Sequence, residues 1–187
     1  MCEELVVNTN KRIQTAVDNL PRGFYESNKT CFLHVTDIIE VKALIGLMYT
    51  RALLGQNHHN ALLLFNNEFG HHFFGATMSR NRFCFLMTHL AFDDKSTRSQ
   101  RFQTDRFAAI RSIFEKFNEN CGKHLVPDEY LAIDESLIAM RNTVSIKMFN
   151  PNKPARYGLL FKSLNGVNYA YTFSSVVYDG RTPSRDG

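Results

Sequence analysis

Apolar residues in the first 125 positions recur with the period of an α-helix. Asp37 has capping-box spacing to Glu40, and after it apolar side chains recur at offsets of 3, 4 and 7 residues. They are Val41, Leu44, Ile45 and Met48. Ser79 is a favourable N-cap for a second helix. The apolar stripe of that helix comprises Phe83, Leu86, Met87 and Leu90.

A third helix is predicted to open at Thr104 or Asp105 and to end at Gly122, because glycine commonly terminates helices. Its apolar residues have heptad-like spacing and are Phe107, Ile110, Phe114, Phe117 and Cys121. The polar stretches at 55–60 and 93–100 between the helices are predicted to be exposed loops.

The pattern changes after Pro127 from helical to strand-like. Positions 130–138 form a mostly apolar run of strand length, and positions 144–149 alternate with period two. Asn165-Gly166 separates two further apolar runs, which predicts a hairpin with a two-residue type I′ turn. The predicted fold class is α+β: a helical region followed by three antiparallel strands, with one open sheet edge.

Two acids, Asp134 and Glu135, interrupt the first strand-like run. Successive side chains of a strand point to opposite faces, so the two carboxylates cannot share one core. Asp134 is predicted to bind a metal ion or, alternatively, to form a salt bridge with Arg141 or Lys147. For Glu135 we expect a structural or pairing role.

The net charge of +4 is mild, but its distribution is uneven. Positions 136–178 contain no acid and five cations, namely Arg141, Lys147, Lys153, Arg156 and Lys162. This fits a polyanionic partner, and a solvated basic sheet face is the alternative. Pro151 and Pro154 stiffen a segment that would present Lys153 and Arg156 to a phosphate backbone, unless it is an ordinary loop between strands.

Other functional classes receive little support from the sequence. Four widely spaced cysteines without a CxxC pair predict a reducing, intracellular compartment and no disulfide framework. The pairs His58-His59 and His71-His72, and the C-x-x-H spacing at 121–124, lack a second pair at zinc-finger distance. The aromatic clusters at 69–74 and 82–85 are predicted core, with base stacking as the alternative.

No glycine-rich phosphate loop, nucleophile elbow or dinucleotide fingerprint is present in the sequence. There is also no secretory signal pattern and no apolar run of the roughly 18 residues that a membrane span needs. These features predict a chain without a membrane partner.

Three sequence blocks carry a resemblance to a known family. "MSRNRFCFLMTHLAFDDK" (78–95), "AIDESL" (132–137) and "FNPNKPARYGLLFKSL" (149–164) resemble, in order and spacing, the piggyBac family of DNA transposases and its domesticated derivatives. The resemblance covers about residues 35 to 181. It implies a partly helical segment at 1–34, a helical dimerisation and DNA-binding region at 35–128, and a truncated RNase H-like catalytic domain at 129–187.

The resemblance also implies a chemistry. In this family three aspartates bind two Mg²⁺ ions for cut-and-paste transposition at TTAA targets, and the first of them corresponds to Asp134. The basic Asn-Lys-Pro segment falls on Asn152, Lys153 and Pro154. DNA contacts are then expected from four cations, Lys147, Lys153, Arg156 and Lys162. Expected partners are transposon ends, a second copy of the chain or an intact transposase, in the nucleus.

The chain departs from the family pattern where further acids are required. The family's second catalytic aspartate follows a helix that is absent here, and neither Asp179 nor Asp186 has a suitable sequence context. One carboxylate cannot hold two metal ions, so we expect a transposase-derived chain that is catalytically incomplete alone. The alternatives are a retained DNA-binding or dimerisation module without catalysis, and a relic that folds poorly.

Overall fold

A computed structural model describes residues 1–21, 31–142 and 144–178 and confirms the α+β class. The described residues form seven helices and a four-stranded antiparallel sheet. They belong to two compact units: the first ends at Asp94 and the second begins at Lys95. The predicted domain division after residue 128 stays a prediction.

The first unit is helical. It contains α1 (Cys2–Asp18), α2 (Ile38–Leu53), α3 (Ala61–Leu64), α4 (His72–Thr77) and α5 (Arg80–His89). Both predicted N-caps are confirmed: the Asp37 carboxylate accepts the Glu40 N–H at 2.8 Å, and the Ser79 hydroxyl accepts the Arg82 N–H at 3.2 Å. The predicted loop at 55–60 is also confirmed.

The core of the first unit joins α1, α2, α3, α4 and α5. Its buried side chains are Ile13, Leu44, Leu47, Leu64, Phe74, Phe83 and Leu86. The aromatic clusters predicted as core are divided: Phe74 and Phe83 are buried, whereas Phe69 and Phe73 are exposed. The core prediction therefore holds for only part of each cluster.

A buried ion pair completes the first unit. Arg82 is 4% exposed, and its guanidinium donates two hydrogen bonds to the Glu40 carboxylate, one of them from Nε to Oε1 at 2.7 Å. It also donates to the backbone carbonyls of Phe32, His34 and Val35. Burial raises the pKa of Glu40, but hydrogen bonds from Arg82 and Thr36 outweigh burial and hold it below its usual value. The pair thus ties the start of α2 to α5.

The second unit begins with two helices that differ from the prediction. The stretch 93–100, predicted as a loop, contains most of α6 (Lys95–Arg101). The next helix, α7 (Arg111–His124), starts well after Thr104, because the Asp105 carboxylate holds the Phe107 N–H and the Arg111 guanidinium in a tight turn. Gly122 lies inside α7 and does not end it.

The sheet is built around one central strand. Its strands are β1 (Leu131–Ala139), β2 (Met148–Phe149), β3 (Tyr157–Gly166) and β4 (Thr172–Val177). Along one side of β3 runs β1, in register from Leu131 opposite Gly166 to Ala139 opposite Gly158. The other side of β3 is shared by β2 and β4. Four strands therefore replace the three that were predicted.

The hairpin is present, but its turn lies elsewhere. Asn165 and Gly166 remain in the β3 ladder, opposite Ala132 and Leu131, so the predicted type I′ turn at these residues is wrong. Such a turn needs positive φ at both central residues, and among the described residues only Gly55 has positive φ. The chain reverses at 167–170 instead, after a bulge between Leu164 and Asn165.

The alternating run at 144–149 forms only a short strand. Its first residues make a turn, in which the Lys147 N–H donates to the Val144 carbonyl at 3.1 Å. Ile146 is thereby buried with Phe107 and Leu159 in the core of the second unit. Local packing has overridden the strand periodicity here.

The described helices include none long and apolar enough to cross a bilayer.

Candidate functional site

Asp134 lies on β1, exposed to solvent and opposite Ser163. Its Oδ1 accepts the N–H of the next residue, Glu135, at 2.8 Å. Neither Arg141 nor Lys147 forms an ion pair with it in the part of the chain that the structure describes. The carboxylate therefore keeps capacity for a further ligand, because an ionised carboxylate can accept several hydrogen bonds.

Glu135 faces the opposite side of the sheet, as strand alternation predicts. It lies directly across from Lys162 on β3, and Lys162 Nζ is 3.4 Å from its Oε1. Nζ also lies 5.4 Å from the ring centroid of Tyr178. Glu135 therefore has a pairing role on this face, and Lys162 is held between an acid and an aromatic ring.

The backbone N–H and C=O groups of Glu135 point away from β3. The Met140 N–H donates to Tyr157 and the Tyr130 carbonyl accepts from Val167, so the even-numbered residues of β1 direct their polar groups toward the β3 side. In an antiparallel ladder these directions alternate, which leaves those of Glu135 at the outer edge. There Asp134 accepts its N–H, and Lys153 Nζ donates to its carbonyl at 2.8 Å.

Lys153 reaches this edge from the loop between β2 and β3. The Asn150 N–H donates to the Arg156 carbonyl at 2.8 Å, and the Asn150 side chain accepts the Asn152 N–H at 3.0 Å. These bonds close the segment into a defined loop that carries two prolines, Pro151 and Pro154.

The four cations predicted to bind DNA do not form one cluster. Lys153 and Lys162 meet at Glu135, on its carbonyl and its carboxylate respectively. Lys147 Nζ lies 5.6 Å from the ring centroid of Tyr157, which packs against Phe149. Arg156 is exposed beside Tyr157. The cations thus divide into one pair at β1 and one group at the start of β3.

The donor set at Asp134 does not fit a pair of divalent cations. Across residues 1–21, 31–142 and 144–178 no group of three or more His, Cys, Asp or Glu side chains could hold a metal ion. Two-metal sites need several carboxylates, and Glu135 is turned to the other face. Asp179 and Asp186 lie outside the described residues. No step of metal-dependent chemistry follows from these residues alone.

The histidines have structural environments. His71 and His72 stack on each other with ring centroids 4.7 Å apart, and the His71 side chain accepts the Phe73 N–H at the start of α4. Neither the histidine pairs nor Cys121 and His124 belong to a metal-binding group within the described ranges.

Residues that the sequence did not suggest cover the far edge of the sheet. Asn118 on α7 donates from its amide to the Ser175 carbonyl at 2.6 Å and accepts the Ser175 N–H at 3.0 Å. The Ser175 hydroxyl bonds that of Ser163 at 2.8 Å. A helical asparagine carries no signal of such a contact in the sequence, because the contact depends on how α7 lies beside β4.

The comparisons with known proteins agree with this fold. A family model described as Transposase IS4 matches residues 1–186. PiggyBac transposable element-derived protein 3 from human is 23% identical over 139 residues, which are 74% of this chain and 23% of that protein. Human piggyBac transposable element-derived protein 2 is 24% identical over 119 residues, which are 64% of this chain and 20% of that protein.

A solved structure resembles the whole chain. It is the cryo-EM structure of a piggyBac transposase synaptic complex with hairpin DNA, with 28% sequence identity and a TM-score of 0.87. The similarity covers 100% of this chain and 37% of that one. This chain thus spans well under half the length of the proteins that it matches. With the family model matching nearly every residue, the chain belongs to the Transposase IS4 family and is a piggyBac-like member of it.

Proposed function

We propose that this chain is a piggyBac-like transposase-derived protein that binds DNA and carries one acid of a metal-dependent strand-transfer site, Asp134. The 187-residue polypeptide alone does not cleave DNA. Residues 129–187 correspond to the start of an RNase H-like catalytic domain. A DNA-binding or dimerisation module without catalysis is the alternative function.

One observation carries the proposal: Asp134 is an exposed carboxylate on β1 without an ion pair among the described residues, whereas the adjacent Glu135 is paired with Lys162. A buried acid on a strand would need a cationic partner, whereas the exposed Asp134 carboxylate does not. An acid that keeps free acceptor positions fits a ligand that arrives from outside the described residues. Mg²⁺ is the family's expected ion, because it prefers carboxylate oxygens.

The test of the metal role is manganese titration of the ¹⁵N-labelled chain. Paramagnetic broadening should be strongest at the amides of Glu135 and Ser136 and should disappear in Asp134→Asn. Glu135→Gln is the matched control and should leave the broadening in place. If the broadening disappears in Glu135→Gln and persists in Asp134→Asn, the assignment is overturned.

The test of inactivity is a nicking assay with Mg²⁺ or Mn²⁺ on linear and hairpin DNA carrying TTAA ends. We expect no cleavage that depends on Asp134, because a two-metal reaction needs more acids than the described residues bring together. Cleavage by the 187-residue chain that vanishes in Asp134→Ala would contradict the proposal.

DNA contact is proposed for Lys147, Arg156 and Lys162, together with Lys153, which keeps two further N–H donors beyond its bond to Glu135. The acid-free stretch from 136 to 178 supports this, because no carboxylate within it opposes a phosphate. The solved relative is in complex with hairpin DNA. Transposon ends and TTAA targets are the proposed DNA, and the nucleus is the proposed location.

Gel shifts between about 50 and 200 mM salt test DNA contact. Each phosphate contact contributes about 0.9 to the slope of log affinity against log salt. Replacing Lys147, Arg156 and Lys162 by alanine should therefore lower the slope by about 2.7. Lys11→Ala, an exposed lysine on α1 outside the expected DNA-binding regions, is the control and should leave the slope unchanged. A slope that does not change in the triple variant would contradict DNA contact by these residues.

A second copy of the chain, or an intact transposase, is the proposed protein partner. Sedimentation velocity of the chain alone and mixed with an intact transposase tests this. A chain that stays monomeric at tens of micromolar, both alone and with the intact transposase, would contradict the proposed partners.

A further inference from the structure

We propose that Lys153 is a positioning residue for Asp134: by holding the Glu135 carbonyl at the outer edge of β1, it restrains the backbone of Glu135, whose N–H the Asp134 carboxylate accepts. The inference concerns the conformation of this chain. Its link to metal binding rests on the function proposed above for Asp134.

Within the described residues no strand pairs with the outer side of β1, so its outward N–H and C=O groups have no ladder partners. An unpaired strand edge frays easily, because few contacts oppose local opening. An acid placed on such an edge has no fixed direction unless something else holds the backbone.

At Glu135 the outer edge of β1 is held by side chains. Both outward groups of Glu135 are bonded to side chains: Asp134 Oδ1 accepts its N–H at 2.8 Å, and Lys153 Nζ donates to its carbonyl at 2.8 Å. The first bond joins the Asp134 carboxylate to the Asp134–Glu135 peptide, and the second holds the next peptide, so that the two together restrain the backbone of Glu135. Charge-assisted bonds of this kind are about twice as strong as neutral ones.

Lys153 lies in the loop between β2 and β3. Its loop is closed by the bond from the Asn150 N–H to the Arg156 carbonyl and by the Asn152 bond to the Asn150 side chain. With Pro151 and Pro154 in the same segment, few backbone conformations are open to it. Lys153 is therefore presented to Glu135 by a stiff loop, as a positioning role requires.

Lys153 differs from the neighbouring lysines in the group that it contacts. Lys162 also approaches Glu135, but at the side-chain carboxylate on the opposite face from Asp134. Lys147 lies over Tyr157. Of the lysines between 136 and 178, Lys153 alone is shown bonded to the backbone beside Asp134 in the described structure.

Two variants of the full chain and one matched control test the inference. Lys153→Met keeps the aliphatic stem and removes the donor, Lys153→Arg keeps a donor, and Lys147→Met removes a nearby lysine that lies over Tyr157. The readouts are hydrogen exchange of the Glu135 amide, the ¹³Cγ shift of Asp134 and the melting temperature.

We expect exchange of the Glu135 amide to quicken about tenfold in Lys153→Met, the size expected from losing one charge-assisted bond. The Asp134 ¹³Cγ signal should move with it, and the melting temperature should stay within about two degrees. Lys153→Arg should restore both local signals, and Lys147→Met should change neither. Unchanged exchange in Lys153→Met, or an equal change in Lys147→Met, would overturn the proposal.

The manganese titration distinguishes this inference from the proposed function. If the wild-type chain shows no broadening at Asp134 while Lys153→Met still quickens the Glu135 amide, the metal role fails and the positioning role stands. If broadening is present and Lys153→Met leaves the Glu135 amide unchanged, the positioning role fails alone.

Discussion

The outer edge of β4 and the outer edge of β1 belong to the same small sheet, but their outward N–H and C=O groups are satisfied in different ways. Along β4, Asn118 from α7 satisfies both the N–H and the C=O of Ser175, as a neighbouring strand would. Along β1, the outward polar groups of Glu135 are the only ones that side chains satisfy among the described residues, and these side chains come from its sequence neighbour and from a loop. Helix α7 packs on β4, whereas Ile133 of β1 remains 78% exposed.

This difference separates stability from function. The β4 edge is closed by packing and by a bidentate amide contact, so a change there should cost stability. The β1 edge carries Asp134 and exposed apolar side chains, and a change of side chain there should cost little stability while altering local conformation. Exposed edges with apolar residues are also sites where another strand can pair.

The largest effect is expected from Gly158→Ala, which tests whether the stability of the sheet depends on the close approach of β1 to β3. In Gly158→Ala, the new Cβ would lie 2.7 Å from the Ile138 carbonyl carbon, closer than packed atoms allow. We expect about 3 kcal/mol of destabilisation, the upper range for overpacking. The measurement is urea unfolding followed by far-UV circular dichroism, since the chain has no Trp.

Gly122→Ala provides the control for Gly158→Ala. Gly122 lies inside α7 with open space around its Cβ position. Alanine should leave stability unchanged or raise it by up to about 1 kcal/mol, because alanine favours helix more than glycine. Similar stabilities for the two variants would show that β1 tolerates a wider separation from β3.

The second-largest expected effect comes from Asn118→Ala, which removes the side chain that closes the β4 edge. Asn118→Ala deprives the Ser175 N–H and C=O of their partners, and unsatisfied buried groups cost about 1–3 kcal/mol. We expect about 2 kcal/mol and faster exchange of the Ser175 amide. Asn120→Ala, at an exposed position of the same helix, should change stability by less than about 0.5 kcal/mol. Equal effects of the two variants would contradict the closure.

The third expected effect concerns the turn that sets the start of α7. The Arg111 guanidinium holds the pKa of Asp105 below its usual value, with burial opposing and the Phe107 N–H adding to the effect. A lowered folded pKa means that the contribution is present above about pH 4 and is lost as pH falls through the folded value.

Asp105→Asn should therefore cost about 1 kcal/mol at pH 7, discounted because the pair is partly exposed, and progressively less as the pH falls below about 4 and through the folded pKa. Urea unfolding at several pH values measures both. Arg111→Met should show the same pH dependence, and a cost that stays constant from pH 7 to pH 3 would contradict this origin.

Local signals predicted part of this structure. The caps at Asp37 and Ser79 were predictable because a capping side chain bonds a backbone group three residues away. The division of Asp134 and Glu135 between two faces followed from strand alternation. In both cases the determining atoms are sequence neighbours.

The failures arose where distant residues decide the outcome. Asn165-Gly166 has a turn-forming sequence, but pairing with β1 holds both residues in the ladder. Gly122 does not end α7, and Asp105 starts a turn in place of a helix because Arg111 folds back onto it. Lys153 was predicted from charge, whereas its bond to the Glu135 carbonyl depends on how the loop crosses to β1.

The smallest expected effect lies on the exposed face of β1, at the Glu135–Lys162 pair. The 3.4 Å separation and the near-half exposure of both side chains predict a coupling below about 0.5 kcal/mol, further reduced by salt. A double-mutant cycle of Glu135→Gln and Lys162→Met, measured by urea unfolding at low and high salt, gives this coupling. A coupling above about 1 kcal/mol that resists salt would show that β1 is fastened by its side chains as firmly as Asn118 fastens β4, and the contrast between the two edges would fail.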